Sequence, residues 1–502
     1  MDAPLPMAPA ACPDWAHPAV PAQSRYQPRR PERTILYQVV AEHMETLFAA
    51  AEAASPDGVG YPAYVRREFE RFLSCGLWSE GFARVRCGSC GHERLLPFSC
   101  KSRALCPSCI GRRMADGAAH LVDHVLPRAP YRLWTLSLPH RIRLLVVRNP
   151  PLLSRVLSLF LRAVFAWQRR RARKQGIAKP LTGAVTMLQF WGSILQLTPH
   201  AHSWLPDGVF EAHDQGVLRF HRIEPPADAE VAAILARVER KVLAACDAAD
   251  ETLPDDDEQV VAQAQLEASR PALFTLPLTE KELGPRPRCA LRNGFSLHAN
   301  LDVHQKNRNT LERLLRYGMR PPFAQNRLSL LQDGRVRLEL RKPFYTGQTD
   351  VIFEPVQFLR RLAAAIPKPR QNLLRFHGIF AANAKHRDAL KRLVPQPRPR
   401  TDTGQKHHGQ KVVTAPDADE PTSPQNQQTT PAYRRTWAEL HARIFGSDLT
   451  ACPRCSGPMK VIQFVKDPDV IHKVCRHLGL PTTLPPVAPA RAPPELSFDL
   501  DL

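Results

Sequence analysis

The sequence predicts an α+β protein, and three observations predict it. Helical periodicity and strand-like alternation are mixed between about 130 and 395. Ahead of that region, Cys87-x-x-Cys90 and Cys106-x-x-Cys109 stand fifteen residues apart. Polar, proline-rich stretches set off both ends of the chain.

Residues 1–31 are rich in proline and alanine and read as disordered. Residues 34–55 and 62–75 repeat apolar side chains at helical spacing. They head a segment, 32–128, that ends in the cysteine module. The main domain is expected over 129–395. Tyr131–Pro139 reads as a strand, and Leu152–Arg170 and Thr182–Leu197 read as helices. Leu197–Phe210 ("LTPHAHSWLPDGVF") reads as a strand entering a hairpin at Pro206-Asp207-Gly208, where proline presets φ and glycine takes positive φ. Gly216–Ile223 reads as a strand and Asp228–Ala249 as a helix before an acidic loop. Residues 396–432 are polar and proline-rich, as linkers are. A small segment, 433–480, carries Cys452-x-x-Cys455, and 481–502 reads as a disordered tail.

Composition narrows the class. Lys and Arg outnumber Asp and Glu by 21, and the excess comes in blocks such as Trp167–Lys179. A polyanionic partner, nucleic acid before membrane, fits that charge. A small-molecule metallohydrolase does not need it. No run of 18 apolar residues is present and the first residues lack a basic start, so a cytoplasmic chain without a membrane span is expected. With 12 cysteines, half of them in Cys-x-x-Cys pairs, metal binding is expected rather than disulfides.

The spacing of Cys87, Cys90, Cys106 and Cys109 matches a closed four-thiolate Zn2+ site of structural type. Cys75 and Cys100 lie in the same stretch, where either could replace a ligand. Cys452 and Cys455, with His472, Cys475 and His477 downstream, suggest a second zinc.

His200 and His202 are two apart. On a strand both imidazoles project from one face and can grip one ion. Two protein ligands leave positions for phosphate and water, which suits Mg2+ or Mn2+ in phosphoryl chemistry. His298 is the first choice for a third ligand, ahead of Gln189, Asp302 and His304. Asn307–Pro322 ("NRNTLERLLRYGMRPP") reads as a helix capped by Asn309, with Leu311, Leu314, Leu315 and Gly318 as its buried stripe. Tyr317 falls at the margin of that stripe, with Arg313, Arg316 and Arg320 nearby. Cations beside a phenol favour the phenolate, and guanidinium groups bind phosphate oxygens. A phenol so placed suits attack on a phosphodiester.

"LTPHAHSWLPDGVF" resembles the histidine–hydrophobic–histidine (HUH) motif of the IS91-like rolling-circle insertion-sequence transposases. "GFARVRCGSC", "SCKSRALCPSCIGRRM", "GFSLHANLDV", "LERLLRYGMRPP", "LRFHGIFAANAKHR" and "CPRCSGPMKVIQF" are similar to stretches of the same family, in order from about 70 to 480. The resemblance implies an HUH domain with a central antiparallel sheet and flanking helices. It implies a single-strand DNA endonuclease and strand transferase, with His200 and His202 on the metal and Tyr317 as nucleophile. Some members use two tyrosines four apart. Here the earlier position holds Arg313, so the chain resembles the single-tyrosine branch. The implied partner is single-stranded or locally melted DNA at insertion-sequence ends, in a bacterial-type nucleoid, with self-association left open. The alternative is a catalytically inactive zinc-ribbon DNA-binding protein.

Overall fold

A computed structural model describes residues 30–55, 58–250, 286–341, 343, 347–395 and 451–491. Residues 1–29 of the expected disordered start, the acidic loop after residue 250, the linker at 396–432 and the segment up to 450 lie outside the described residues, whereas Pro31 is buried in a 3-10 turn, Pro31–Arg33.

The N-terminal part begins with α1 (Ile35–Ala54), whose first turn is capped by the Thr34 hydroxyl accepting from the Tyr37 amide, and α2 (Ala63–Leu73). A hairpin of β1 (Phe82–Cys87) and β2 (Glu93–Pro97) follows, then α3 (Pro107–His120), which runs on into a π-turn at Leu121–Val125. The main domain supplies β3 (Tyr131–Ser137), α4 (His140–Arg148), α5 (Pro150–Lys174), β4 (Gly183–Trp191), β5 (Leu197–Pro206), β6 (Gly208–Ala212), β7 (Leu218–Arg222) and α6 (Asp228–Asp250). After residue 285 come β8 (Cys289–Arg292), β9 (Phe295–His298), β10 (Asp302–Val303) and α7 (Arg308–Gly318). They are followed by β11 (Leu328–Leu330), β12 (Val336–Glu339), β13 (Asp350–Phe353), α8 (Pro355–Ala364), β14 (Leu374–Gly378) and α9 (Arg387–Arg392). β15 (Met459–Val465) and α10 (Pro468–His477) complete the described elements.

The central sheet has seven strands in the order β14-β4-β5-β3-β9-β8, with β10 also on β3, and every pair is antiparallel. The fold is therefore α+β with antiparallel sheets, as expected. The stretch Thr182–Leu197, expected as a helix, is instead β4 and the approach to β5, and every residue of β4 is buried. A central strand covered on both faces shows no polar alternation, so an apolar run hides its period.

The two faces of the sheet do different work. Trp134, Leu136, Ala184, Leu188, Ala201, Phe295 and Leu297 join the core built with α4, α5 and α6. By length and composition α5 could cross a membrane, but half of its apolar window is buried inside the protein. The other face is divided. At one end Tyr131, Val185, Met187 and Trp204 pack with Leu311 and Leu315 of α7 and with the π-turn. At the other end the same face carries Thr135, Ser137, Gln189, His200 and His202.

The Pro206-Asp207-Gly208 turn does not fold β5 back into a hairpin. The chain leaves the central sheet there, and β6 pairs with β7 as a separate two-stranded sheet. Asp207 is buried and held by Arg132, with Nε to Oδ1 at 3.0 Å and Nη2 to Oδ2 at 2.7 Å. Nη1 of Arg132 donates to the Ala299 carbonyl at 2.9 Å.

The C-terminal segment is not separate from the cysteine module. β15 pairs antiparallel with β1 to give the sheet β15-β1-β2. Residues 481–491, expected as part of a disordered tail, reach α1. The Ala488 amide donates to the Ala41 carbonyl, and Arg491 binds Thr46 and Glu42.

Candidate functional site

The histidine face is set by strand register. His200 sits opposite Ser137 on one side and Gln189 on the other, and His202 sits opposite Thr135 and Met187. Paired and i+2 positions of antiparallel strands share a face, so both imidazoles project together. Their ring centroids are 6.1 Å apart. Nδ1 of His200 meets the Ser137 hydroxyl at 2.7 Å, and Nδ1 of His202 meets the Thr135 hydroxyl at 3.2 Å. Burial, with neighbouring positive charge, lowers His200 to about 3 and His202 to about 4. Both rings are therefore neutral at ordinary pH. With Nδ1 of each engaged, Nε2 is the nitrogen left to ligate, the usual division of labour in metal-bound histidine. Two neutral imidazoles with Nε2 unengaged are donors of the kind a divalent ion accepts, and among the described residues no third His, Cys, Asp or Glu groups with them within ligand reach.

His298 lies in the same row, opposite Thr135 from the β9 side. Its ring turns to a partner in the next strand: Nδ1 is 3.1 Å from Cys289 Sγ. Gln189 is also occupied. Its Nε2 donates to the Gly318 carbonyl at 2.8 Å and to the Tyr317 carbonyl at 3.3 Å. The side chain next to His200 thus caps the end of the tyrosine helix. Gly318 permits this approach, since a Cβ there would stand 2.5 Å from Met187 Sδ.

The helix begins at Arg308 with Asn307 rather than Asn309 as N-cap, and neither the expected capping hydrogen bond nor a substitute from Asn307 forms. Leu311, Leu315 and Gly318 are buried as expected, and Leu314 packs against the same core. Tyr317 is exposed, at 42% of its surface. Arg320 lies over its ring at 4.3 Å and Arg341 at 5.3 Å. The charge of Arg320 also disfavours protonation of both His200 and His202. Burial lowers Arg320 and Arg327, and Arg341 adds repulsion to each. Nε of Arg316, Arg320 and Arg327 is buried with no hydrogen-bond partner. Crowded cations with unused N–H donors make a place for an anion. Arg313, one turn before Tyr317 and exposed like it, donates to the Thr310 hydroxyl. Arg327 and Arg341 escaped the sequence reading because they come from beyond the helix, and only the fold brings them back to it.

The cysteines regroup. Cys87, Cys90, Cys106 and Cys109 do not form one site. Cys106 and Cys109 join Cys75 and Cys100, whereas Cys87 and Cys90 join Cys452 and Cys455. The hairpin is the reason. It carries Cys87 and Cys90 at its tip and leads to Cys100 at its base, about 17 Å away for a five-residue strand. In the first set Cys75 Sγ lies 3.6 Å from Cys106 and 3.7 Å from Cys109, and Cys100 lies 3.4 Å from Cys109. In the second, Cys87 and Cys455 are 3.5 Å apart and Cys90 and Cys452 3.6 Å. Thiolates about 2.3 Å from a tetrahedral zinc stand about 3.8 Å apart, so both sets fit the ion. Contact with Cys100 holds the Cys75 thiol well below its ordinary value, and Cys87 is lowered to about 6, chiefly by the Cys90 amide. Gly457 allows the two knuckles to meet, because a Cβ there would lie 2.4 Å from Ser89 Oγ. Cys475 stands apart, buried with Phe82, Val465 and Ile471.

Two family models match the chain: a transposase zinc-binding domain over residues 44–138 and a putative transposase over 183–388. No curated protein and no solved structure matches it. The first match covers Cys75, Cys87, Cys90, Cys100, Cys106 and Cys109, and the second covers His200, His202, His298 and Tyr317. Zinc module and transposase domain follow one another in a single polypeptide, and the chain belongs to the IS91-like transposases.

Proposed function

We propose that this transposase nicks and rejoins single-stranded DNA at insertion-sequence ends through a 5′-phosphotyrosine on Tyr317, in rolling-circle fashion on an HUH-type domain. One observation carries the reading: Gln189, the ladder neighbour of His200, holds the carbonyl end of the tyrosine helix, so the helix that bears the phenol packs on the face that bears the imidazoles. His200 and His202, with His298 of the same sheet row as the proposed third donor, would hold a Mg2+ or Mn2+ ion that supplies Lewis-acid polarisation of the scissile phosphate.

The chain's own groups do the rest. Arg320, Arg327 and Arg341 draw the phosphate to the exposed phenol, and Arg316 adds a buried donor close by. Arg313, exposed on the helix surface, is placed to meet the DNA backbone further along. Tyr317 Oη bonds to phosphorus as the P–O3′ bond breaks. The phenolic proton is lost, and the leaving 3′-oxygen gains one to become a hydroxyl. Attack by a strand 3′-hydroxyl on the tyrosine link reverses this sequence and joins the strands. Zn2+ in the two cysteine tetrads holds the N-terminal module that engages DNA beside the site, within the cytoplasmic nucleoid.

Incubation with a labelled end oligonucleotide and Mn2+ tests this. A covalent protein–DNA adduct is expected from the native chain. Tyr317→Phe should lose it by at least about 10³-fold while binding persists, and joint His200→Ala and His202→Ala should lose cleavage. An adduct that survives in Tyr317→Phe would assign the nucleophile elsewhere.

A further inference from the structure

The hairpin β6–β7 carries a third group of potential ligands, distant in kind from the cysteines and outside the histidine face. Val209 pairs with His221 and Glu211 with Arg219. Val209, Glu211 and His213 are two apart along one strand line, so Glu211, His213 and His221 project from the same face. Their ligand atoms all lie within 4.8 Å of one another. Oε2 of Glu211 is 3.1 Å from Nε2 of His221 and 3.7 Å from Nε2 of His213.

Two details favour an ion over a plain hydrogen bond. Nε2 of His221 is buried and makes no hydrogen bond, although the carboxylate oxygen is 3.1 Å away. The oxygen therefore sits off the axis on which a ring N–H would point. Glu211 also lies opposite Arg219 in the ladder, yet its carboxylate oxygen stands against the two imidazoles. Ligands about 2.0–2.1 Å from a tetrahedral centre stand about 3.3–3.4 Å apart. The observed separations of 3.1 and 3.7 Å bracket that value.

We propose that Glu211, His213 and His221 bind a zinc-class divalent ion. Two imidazoles and one carboxylate select such an ion over magnesium. Three protein ligands leave a fourth position open to water or to a phosphate oxygen, unlike the closed cysteine tetrads. The hairpin follows β5 directly through Asp207, so this ion would sit on the element that extends from the histidine strand.

The full chain, saturated with zinc and freed of loosely held metal by gel filtration, gives the test. Zinc per chain is counted in the native protein, in His213→Ala, and in a Glu211→Gln, His221→Gln double variant. The native protein is expected to hold one ion more than the double variant. His213→Ala should hold that ion at least about tenfold more weakly. Cobalt(II) loading separates this site from the cysteines: the sulfur-to-cobalt charge-transfer absorption should be the same in all three proteins. Equal zinc counts in all three would overturn the assignment. Loss of the sulfur band together with the extra ion would overturn it as well, since the lost metal would then belong to the thiolates.

Discussion

His200 and His202 are kept neutral by their surroundings, and that has a stability consequence. Their folded values, about 3 and about 4, lie below the ordinary 6.5. Between those limits the unfolded chain binds more protons than the folded one, so stability rises with pH. Acidification from about 6.5 towards 4 should therefore weaken the fold, by up to about 1.4 kcal/mol per pH unit for each histidine. Melting temperatures over that range, without added Mg2+ or Mn2+, should show a steeper slope for the native chain than for a His200→Gln, His202→Gln variant. At this scale the sequence was informative where spacing alone decides geometry, as with two imidazoles on a strand. It was silent on Arg327 and Arg341, whose nearness to Tyr317 depends on how distant segments pack.

Elements were legible where a polar face marks their period. The helices α1, α2, α5 and α6 and the strands β3 and β7 fall where amphipathic patterning put them. β4 did not, since it has no polar face, and the turn after β5 misled because its chemistry fixes a bend but not the strand's next partner. That partner depends on Arg132, which anchors Asp207 inside the protein. Removing one member of a buried ion pair leaves the other without compensation and typically costs about 3–5 kcal/mol. Arg132→Met should destabilise by that order in chemical denaturation, and adding Asp207→Leu should recover part of the loss. Gln189→Leu is a positioning change. It frees the end of α7 and should lower nicking while leaving oligonucleotide affinity and the bound zinc unaltered.

Over the whole molecule, the cysteine count announced zinc, but the partnerships needed the fold. The second half-site for Cys87 and Cys90 lies 362 to 368 residues away. A Cys452→Ser, Cys455→Ser variant should lose one thiolate-bound zinc, whereas Cys106→Ser should lose the other and leave the β15–β1 tetrad loaded. Metal counts with cobalt absorption distinguish the two. The union of β15 with β1 also sets a schedule for biosynthesis. As the polypeptide leaves the ribosome, the first knuckle emerges with only two of its four sulfurs and must wait for the rest of the catalytic domain to be translated. That tetrad therefore closes last, whereas the one built from Cys75, Cys100, Cys106 and Cys109 has all its sulfurs early, and a protease cut between residues 396 and 450 should leave two fragments that travel as one particle until a chelator parts them.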